Sequence, residues 1–215
     1  MLHYFILIFA VIIAIDLLLV LWLIRWDIFE RIAKYLIQRA KKTPYFHLDG
    51  YMERYWLVPY KMEDSETDIT CGKVSFIKRP IAWVLQSLGI AVRVHKILRS
   101  DIGRDFHNHP WNFVSVLLMG NYSEVTPCYN KNDFYVGELE TYYHQGSILF
   151  RNHSHMHRLN LVDKTVLGNC HTHFLPVWTL FITGPKKRKW GFLIHPSNII
   201  SYNDYFKTLK GKNEE

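Results

Sequence analysis

From Leu2 to Ile24 the chain is almost unbroken Leu, Ile, Val, Phe and Ala, interrupted by Asp16. A helix of about 20 such residues spans the hydrocarbon of a bilayer, so residues 1–24 are expected to form a transmembrane anchor. No Lys or Arg precedes Arg25 and no small-residue cleavage site follows, which distinguishes the segment from a removed signal peptide. In residues 25–42 the apolar positions Ile28, Phe29, Ile32, Ala33, Leu36 and Ala40 alternate with charges at helical spacing. This predicts an amphipathic juxtamembrane helix lying on the membrane surface and ended by Thr43-Pro44. A short helix is expected over 77–88, and Glu63 to Asp68 reads as an exposed acidic loop. Beyond Gly89 the texture changes to short runs of Val, Ile, Tyr and Phe parted by Gly, Pro, Asn and Asp, the pattern of an antiparallel sandwich or barrel. Strands are expected at 90–98, 111–118, 122–126, 139–144, 147–150, 156–161, 179–183 and 190–194. One β domain over 43–206 and a charged tail over 207–215 complete the division.

The basic residues Arg25, Arg31, Lys34, Arg39, Lys41 and Lys42 follow the apolar span directly, and flanking Lys and Arg favour the cytoplasmic side. A single-pass membrane protein with its domain facing the cytoplasm is therefore expected. The odd, scattered cysteines Cys71, Cys128 and Cys170 suit a reducing compartment better than a disulfide framework. The net charge of +7 concentrates beside the membrane and at Lys186 to Lys189, where anionic lipid is an adequate partner, so nucleic acid is the weaker reading. Asp16 reads either as a contact to a partner helix or proton relay, or as a tolerated carboxyl.

Seven of the twelve histidines fall in the clusters His107/His109, His153/His155/His157 and His171/His173. Residues two apart on a strand face the same side, so His107 and His109 can present both rings to one point. Neutral imidazole is a favoured ligand of zinc, iron and related metals. Arg93 and His95 alternate with Val92 and Val94, which directs both either into the barrel or onto a solvated edge. A buried Arg suits a carboxylate or phosphate. Asp101 and Arg104 either orient a ligand imidazole or hold the loop ahead of it. Arg188 and Trp190 are candidates to close the mouth of the barrel or to contact an anionic substrate. The Cys170-His171-Thr-His173 group reads as incidental rather than as a second metal site.

Gly103-Arg-Asp-Phe-His107-Asn-His109 followed by Gly120, then Gly146 through to His157, resemble in order and spacing the two motifs of the cupin superfamily. "FHNHPWNFVSVLLMGNYSE", "GSILFRNHSHMHRLNL" and "WTLFITGPKKRKWGF" are similar to its cysteine-dioxygenase-like branch, in particular to small uncharacterised bacterial and phage cupins. The likeness runs from about Tyr51 to Phe206. It implies a mainly β fold, a cupin-type double-stranded β-helix or jelly-roll barrel behind the two helices. It implies His107, His109 and His157 as metal ligands, while His155 and His153 share the expected strand parity with His157. The place where most cupins carry a Glu holds Phe113 or Val114, which implies a three-histidine site without a carboxylate. The cross-linking Cys and Tyr of some members have no counterpart, and no Arg matches the one that grips an amino acid carboxylate.

The resemblance thus implies a non-haem iron(II) dioxygenase-like oxidoreductase acting on an unknown small substrate; beside it, Arg93, His95, Arg104 and Arg158 stand as catalytic candidates, and they would suit an anionic one. Zn, Mn and Ni are the alternative metals, in a non-redox isomerase, epimerase or decarboxylase or in a metal-stabilised ligand-binding module. A homodimer is the favoured assembly.

Overall fold

The computed structural model describes residues 23–58, 79–101, 105–161, 163–164, 173–174, 176–195, 198–201, 204–205 and 207. The transmembrane expectation falls on residues 1–22 with Asp16, and these lie outside the described residues. Arg104, Cys71, Cys170, His171 and the acidic loop lie outside them as well. Among the described residues no helix is long and apolar enough to cross a membrane.

Helix α1 covers residues 23–40. It leads into β1 (Pro44–Leu48) and β2 (Met52–Val58), and helix α2 (Arg79–Ser87) precedes β3 (Ala91–Ile97). The remaining strands are β4 (Phe106–His107), β5 (Phe113–Met119), β6 (Tyr122–Tyr129), β7 (Tyr135–Tyr143), β8 (Ile148–Arg151) and β9 (Arg158–Leu161). They are followed by β10 (Asp163–Lys164), β11 (His173–Phe174), β12 (Val177–Thr183), β13 (Gly191–His195) and β14 (Asn198–Ser201). One six-stranded sheet runs β1-β2-β3-β12-β5-β8, and β10 and β11 pair as a separate ribbon.

Two further sheets, β14-β13-β4 and β7-β6-β9, have three strands each. A bridge between His107, at the end of β4, and His157, just ahead of β9, joins them. Each residue's N–H donates to the other's carbonyl, at 2.9 and 3.0 Å. The second layer is therefore a sheet stitched at its middle by one histidine pair. The interior is where the layers meet: Ile97, Leu117, Leu149 and Val177 of the first pack with Tyr122 and Leu161 of the second. Two facing antiparallel sheets with this interior fit a β jelly-roll.

The strand expectations correspond to β3, β5 to β9, β12 and β13, with β7 and β12 extending further toward their N-termini. Strands β1 and β2 were not expected from the sequence, for a reason visible in β2. Tyr55 faces outward under helix α1 and Trp56 faces inward, and both are buried. A strand covered on both faces loses the alternation that marks a half-exposed one.

Helix α1 lays part of its apolar face on the domain itself. Ala33, Ile37 and Ala40 are buried against Tyr55, Val94, Leu118 and Trp178, on the outer face of the six-stranded sheet, with Phe29 and Leu36 packed beside them. The alanines explain the fit, because small side chains let helix and sheet approach closely. Ile28 and Ile32, on the other flank, remain about half exposed.

Candidate metal centre

Directly opposed residues of an antiparallel pair present their side chains on one face. The His107–His157 bridge thus aims two imidazoles into the interior, one from β4 and one from just ahead of β9. His109 follows β4 by two residues and brings a third ring: its Nε2 lies 3.1 Å from Nε2 of His157. One ring nitrogen from each of His107, His109 and His157 lies within 4.8 Å of the others. Two nitrogens bound to one ion at about 2.1 Å stand roughly 3.0 Å apart at a right angle and about 3.4 Å apart at the tetrahedral angle. The His109–His157 separation fits two ligands of one transition-metal ion, and His107 lies near enough for the three to be a group that could hold one. Burial first, then the nearby His157 and His107 rings, push the His109 pKa well below the ordinary imidazole range, leaving it in the neutral form a metal requires.

Asn108, between His107 and His109, points the opposite way and is fully buried. Its side-chain oxygen accepts from the Gly191 N–H at 3.0 Å. This ties the ligand segment to β13. Phe113 and Phe181 wall the site, with ring centroids 4.8 and 5.6 Å from that of His109. Trp190 and Phe192 flank His107 at 6.3 and 5.9 Å.

Behind His157 lies Glu124, which the sequence analysis did not single out. His157 Nδ1–H donates to Glu124 Oε1 at 2.6 Å, leaving Nε2 for the metal side. The same oxygen accepts from His155 Nε2–H at 3.1 Å, and Arg151 grips the carboxylate while also donating to the Tyr143 hydroxyl at 2.8 Å. Burial by itself would raise the Glu124 pKa; the hydrogen bonds from His155, His157 and Arg151 outweigh it and hold the carboxyl far below the usual carboxylate range. A carboxylate on the outer nitrogen of a ligand imidazole fixes its tautomer and orientation. The available signal was parity: Glu124 shares the inward face of its expected strand with Tyr122.

The structure separates the three C-terminal candidates. His153 is half-buried, against Asn112; His155 sits on Glu124; among the three, His157 meets His107 and His109. Equal parity did not decide this, because residues 153–154 form a turn rather than a strand. Arg93 and His95 are both buried on the inward face of β3, opposite Phe181 and Thr179. Arg93 lies 4.9 Å from the ring centre of Trp56 and 5.2 Å from that of Trp111. Arg158 is not brought to the site: it follows His157 and so faces the other side of its sheet, over the Phe106 ring at 4.8 Å and paired with Glu138. Asp101 is buried and accepts from Tyr51 Oη at 2.6 Å and from the Leu159 N–H at 3.0 Å, holding the loop ahead of β4.

No family model matches the chain, and no curated protein does. Among solved structures it is similar to an RmlC-like cupin protein from Ralstonia eutropha JMP134, at 13% identity and a TM-score of 0.39, over 80% of this chain and 84% of that one. It is also similar to Fe(II)-HppE bound to an alternative substrate, at 13% identity and a TM-score of 0.39, over 67% of this chain and 57% of that one. A third is the formate complex of Lactobacillus farciminis oxalate decarboxylase, at 12% identity and a TM-score of 0.40, over 78% of this chain and 36% of that one. What this chain's own side chains show is three histidines whose ring nitrogens lie within 4.8 Å of one another, between two antiparallel sheets, a group that could hold a metal ion.

Proposed function

We propose that the protein is a metal-dependent oxidoreductase of the thiol-dioxygenase-like kind, in which His107, His109 and His157 hold iron(II). The observation that carries this reading is the convergence of three histidine nitrogens with no carboxylate among them, one of them fixed from behind by Glu124. Iron in such a ligand set would supply a redox centre with positions left for a substrate and dioxygen. Every other part of the chemistry falls to the chain. Glu124 holds the His157 ring in orientation, Phe113 and Phe181 keep one side of the site dry, and Trp190 stands beside His107. Arg93 and His95 are the interior groups suited to orienting a small, anionic substrate.

The test is elemental analysis of the purified full chain beside a His107→Ala/His157→Ala variant. Stoichiometric iron lost in the variant supports the reading and directs the next step to oxygen consumption. Zinc, manganese or nickel in its place moves the function to non-redox chemistry, and a metal-free wild type sinks it.

We further propose that the chain is anchored in a membrane by residues 1–24 with its domain on the cytoplasmic side. The apolar run and the basic residues after it support this reading. Release of the full chain from membranes by alkaline carbonate would overturn it.

A further inference from the structure

One wall of the interior, away from the three ligands, is built from basic groups. His95 and Arg93 stand two residues apart on the inward face of β3, and both are more than nine-tenths buried. Arg54 of β2 is directly opposite His95 in the register. The His95 ring stacks on Phe181, with centroids 4.8 Å apart, and Phe181 in turn touches His109. His95 and the metal ligands therefore share one aromatic side chain. Nε2 of His95 is buried and has no hydrogen-bond partner among the described residues. Such a nitrogen is rarely left without a partner in a native interior.

Burial first, and the Arg93 and Arg54 charges after it, hold the His95 pKa well below the usual imidazole range, so the ring is neutral, and in the tautomer protonated at Nε2 that nitrogen has an N–H to offer. The positive charge at this corner comes from the two guanidiniums. Arg93 is set by its rings: Trp56 and Trp111 flank it. Arg54 lies over Tyr45 at 5.1 Å. Of the buried carboxylates among the described residues, Glu124 is on the other side of His157 and engaged by Arg151, and Asp101 accepts from Tyr51 and the Leu159 N–H. The unmet donor and the two cations thus call for the same ligand chemistry, a small oxyanion.

We infer that this corner is an oxyanion subsite, in which His95 Nε2–H and the guanidiniums of Arg54 and Arg93 bind a carboxylate or phosphate group. Its place beside Phe181 makes that group the far end of a substrate whose other end reaches His109. The inference rests on the metal reading only in assigning the anion to a substrate; the contact with His95 does not depend on a metal.

The test is calorimetric titration of the full chain with inorganic phosphate and with acetate, in metal-loaded and metal-stripped forms. The proteins are wild type, His95→Phe, His95→Gln and Arg54→Gln. The Phe variant keeps the stack on Phe181 and removes the N–H, whereas Gln restores a donor. Saturable binding of at least one anion is expected in both forms of the wild type. It should weaken about tenfold or more, about 1.4 kcal/mol, in His95→Phe and in Arg54→Gln, and recover in His95→Gln. Metal content by elemental analysis should be equal in all four. Should His95→Phe fail to fold, Arg54→Gln carries the comparison. Absence of saturable binding, binding indifferent to the substitutions, or binding that vanishes on stripping the metal overturns the inference. A wild type that holds no metal, yet binds the anion through His95, sinks the metal reading and leaves this one standing.

Discussion

His157 is engaged at both of its nitrogens, and the consequences of disturbing Glu124 follow from that. Glu124→Gln keeps the shape of the side chain while removing the charge that holds the ring, and losses of an outer partner of this kind lower metal affinity by about 10- to 100-fold. A competitive titration against a chelator measures it. Glu124→Ala leaves Arg151 in a mostly buried place without its carboxylate, a loss of about 3 kcal/mol in denaturant unfolding. His95 sets a pH dependence of its own. In the unfolded chain this imidazole takes up a proton as pH falls below 6.5, whereas the folded, buried ring does not. The unfolded state then binds more protons, so this contribution to stability is complete above pH 6.5 and is lost below it, at up to about 1.4 kcal/mol per pH unit. Urea unfolding at about pH 7.5 and about pH 5.5 should show the loss in the wild type and a smaller one in His95→Phe. Equal losses in the two proteins would remove His95 as the cause.

At the scale of elements, helix α1 depends on its alanines. Ala33 and Ala40 are almost completely buried against the six-stranded sheet. Ala33→Leu has no room for its added carbons without moving the helix, and overpacking of this sort costs about 1–3 kcal/mol. Thermal unfolding should report the loss, while Ile32→Leu, on the half-exposed flank, should leave the midpoint nearly unchanged. Gly120 joins β5 to β6 at a φ of 84°, where a Cβ would stand 3.1 Å from Val177 Cγ2 and 3.3 Å from the Pro176 carbonyl oxygen. The turn there must be tight because Tyr122 and Glu124, just beyond it, have to face the interior. Strain and crowding coincide at that position, so Gly120→Ala should destabilise more than an ordinary surface substitution.

For the whole molecule, the notable feature is where the second sheet is weakest. Its two three-stranded halves meet through the His107–His157 bridge, and both bridge residues belong to the proposed metal-binding set. A bound ion would therefore clamp the halves together as well as serve chemistry. An ion that binds only the folded state adds about 2.7 kcal/mol at a hundredfold excess over its dissociation constant. Chelation should lower the unfolding midpoint and raise amide exchange most around residues 105–109 and 155–158, with β3 and β12 changing least. Uniform exchange across both sheets on chelation would show that the ion does not act as a clamp.

Residue order alone determined that this chain carries a long apolar segment, an amphipathic helix and a run of short strands, because burial on one face imposes a period that can be read in one dimension. It also determined, through strand parity, that β3 turns Arg93 and His95 to the same side, and it offered the spacing at which His107 and His109 can present both rings to one point. Tertiary structure decided the rest. That His157, rather than His153 or His155, meets His107 and His109 depended on which residue pairs with His107 across the sheet. The role of Glu124 depended on β6 lying beside β9, which brings together side chains 33 positions apart. The place of α1 depended on an outer sheet face that exists only once six strands are aligned. In each of these cases the deciding partner is distant along the chain, and a local pattern carries no information about it.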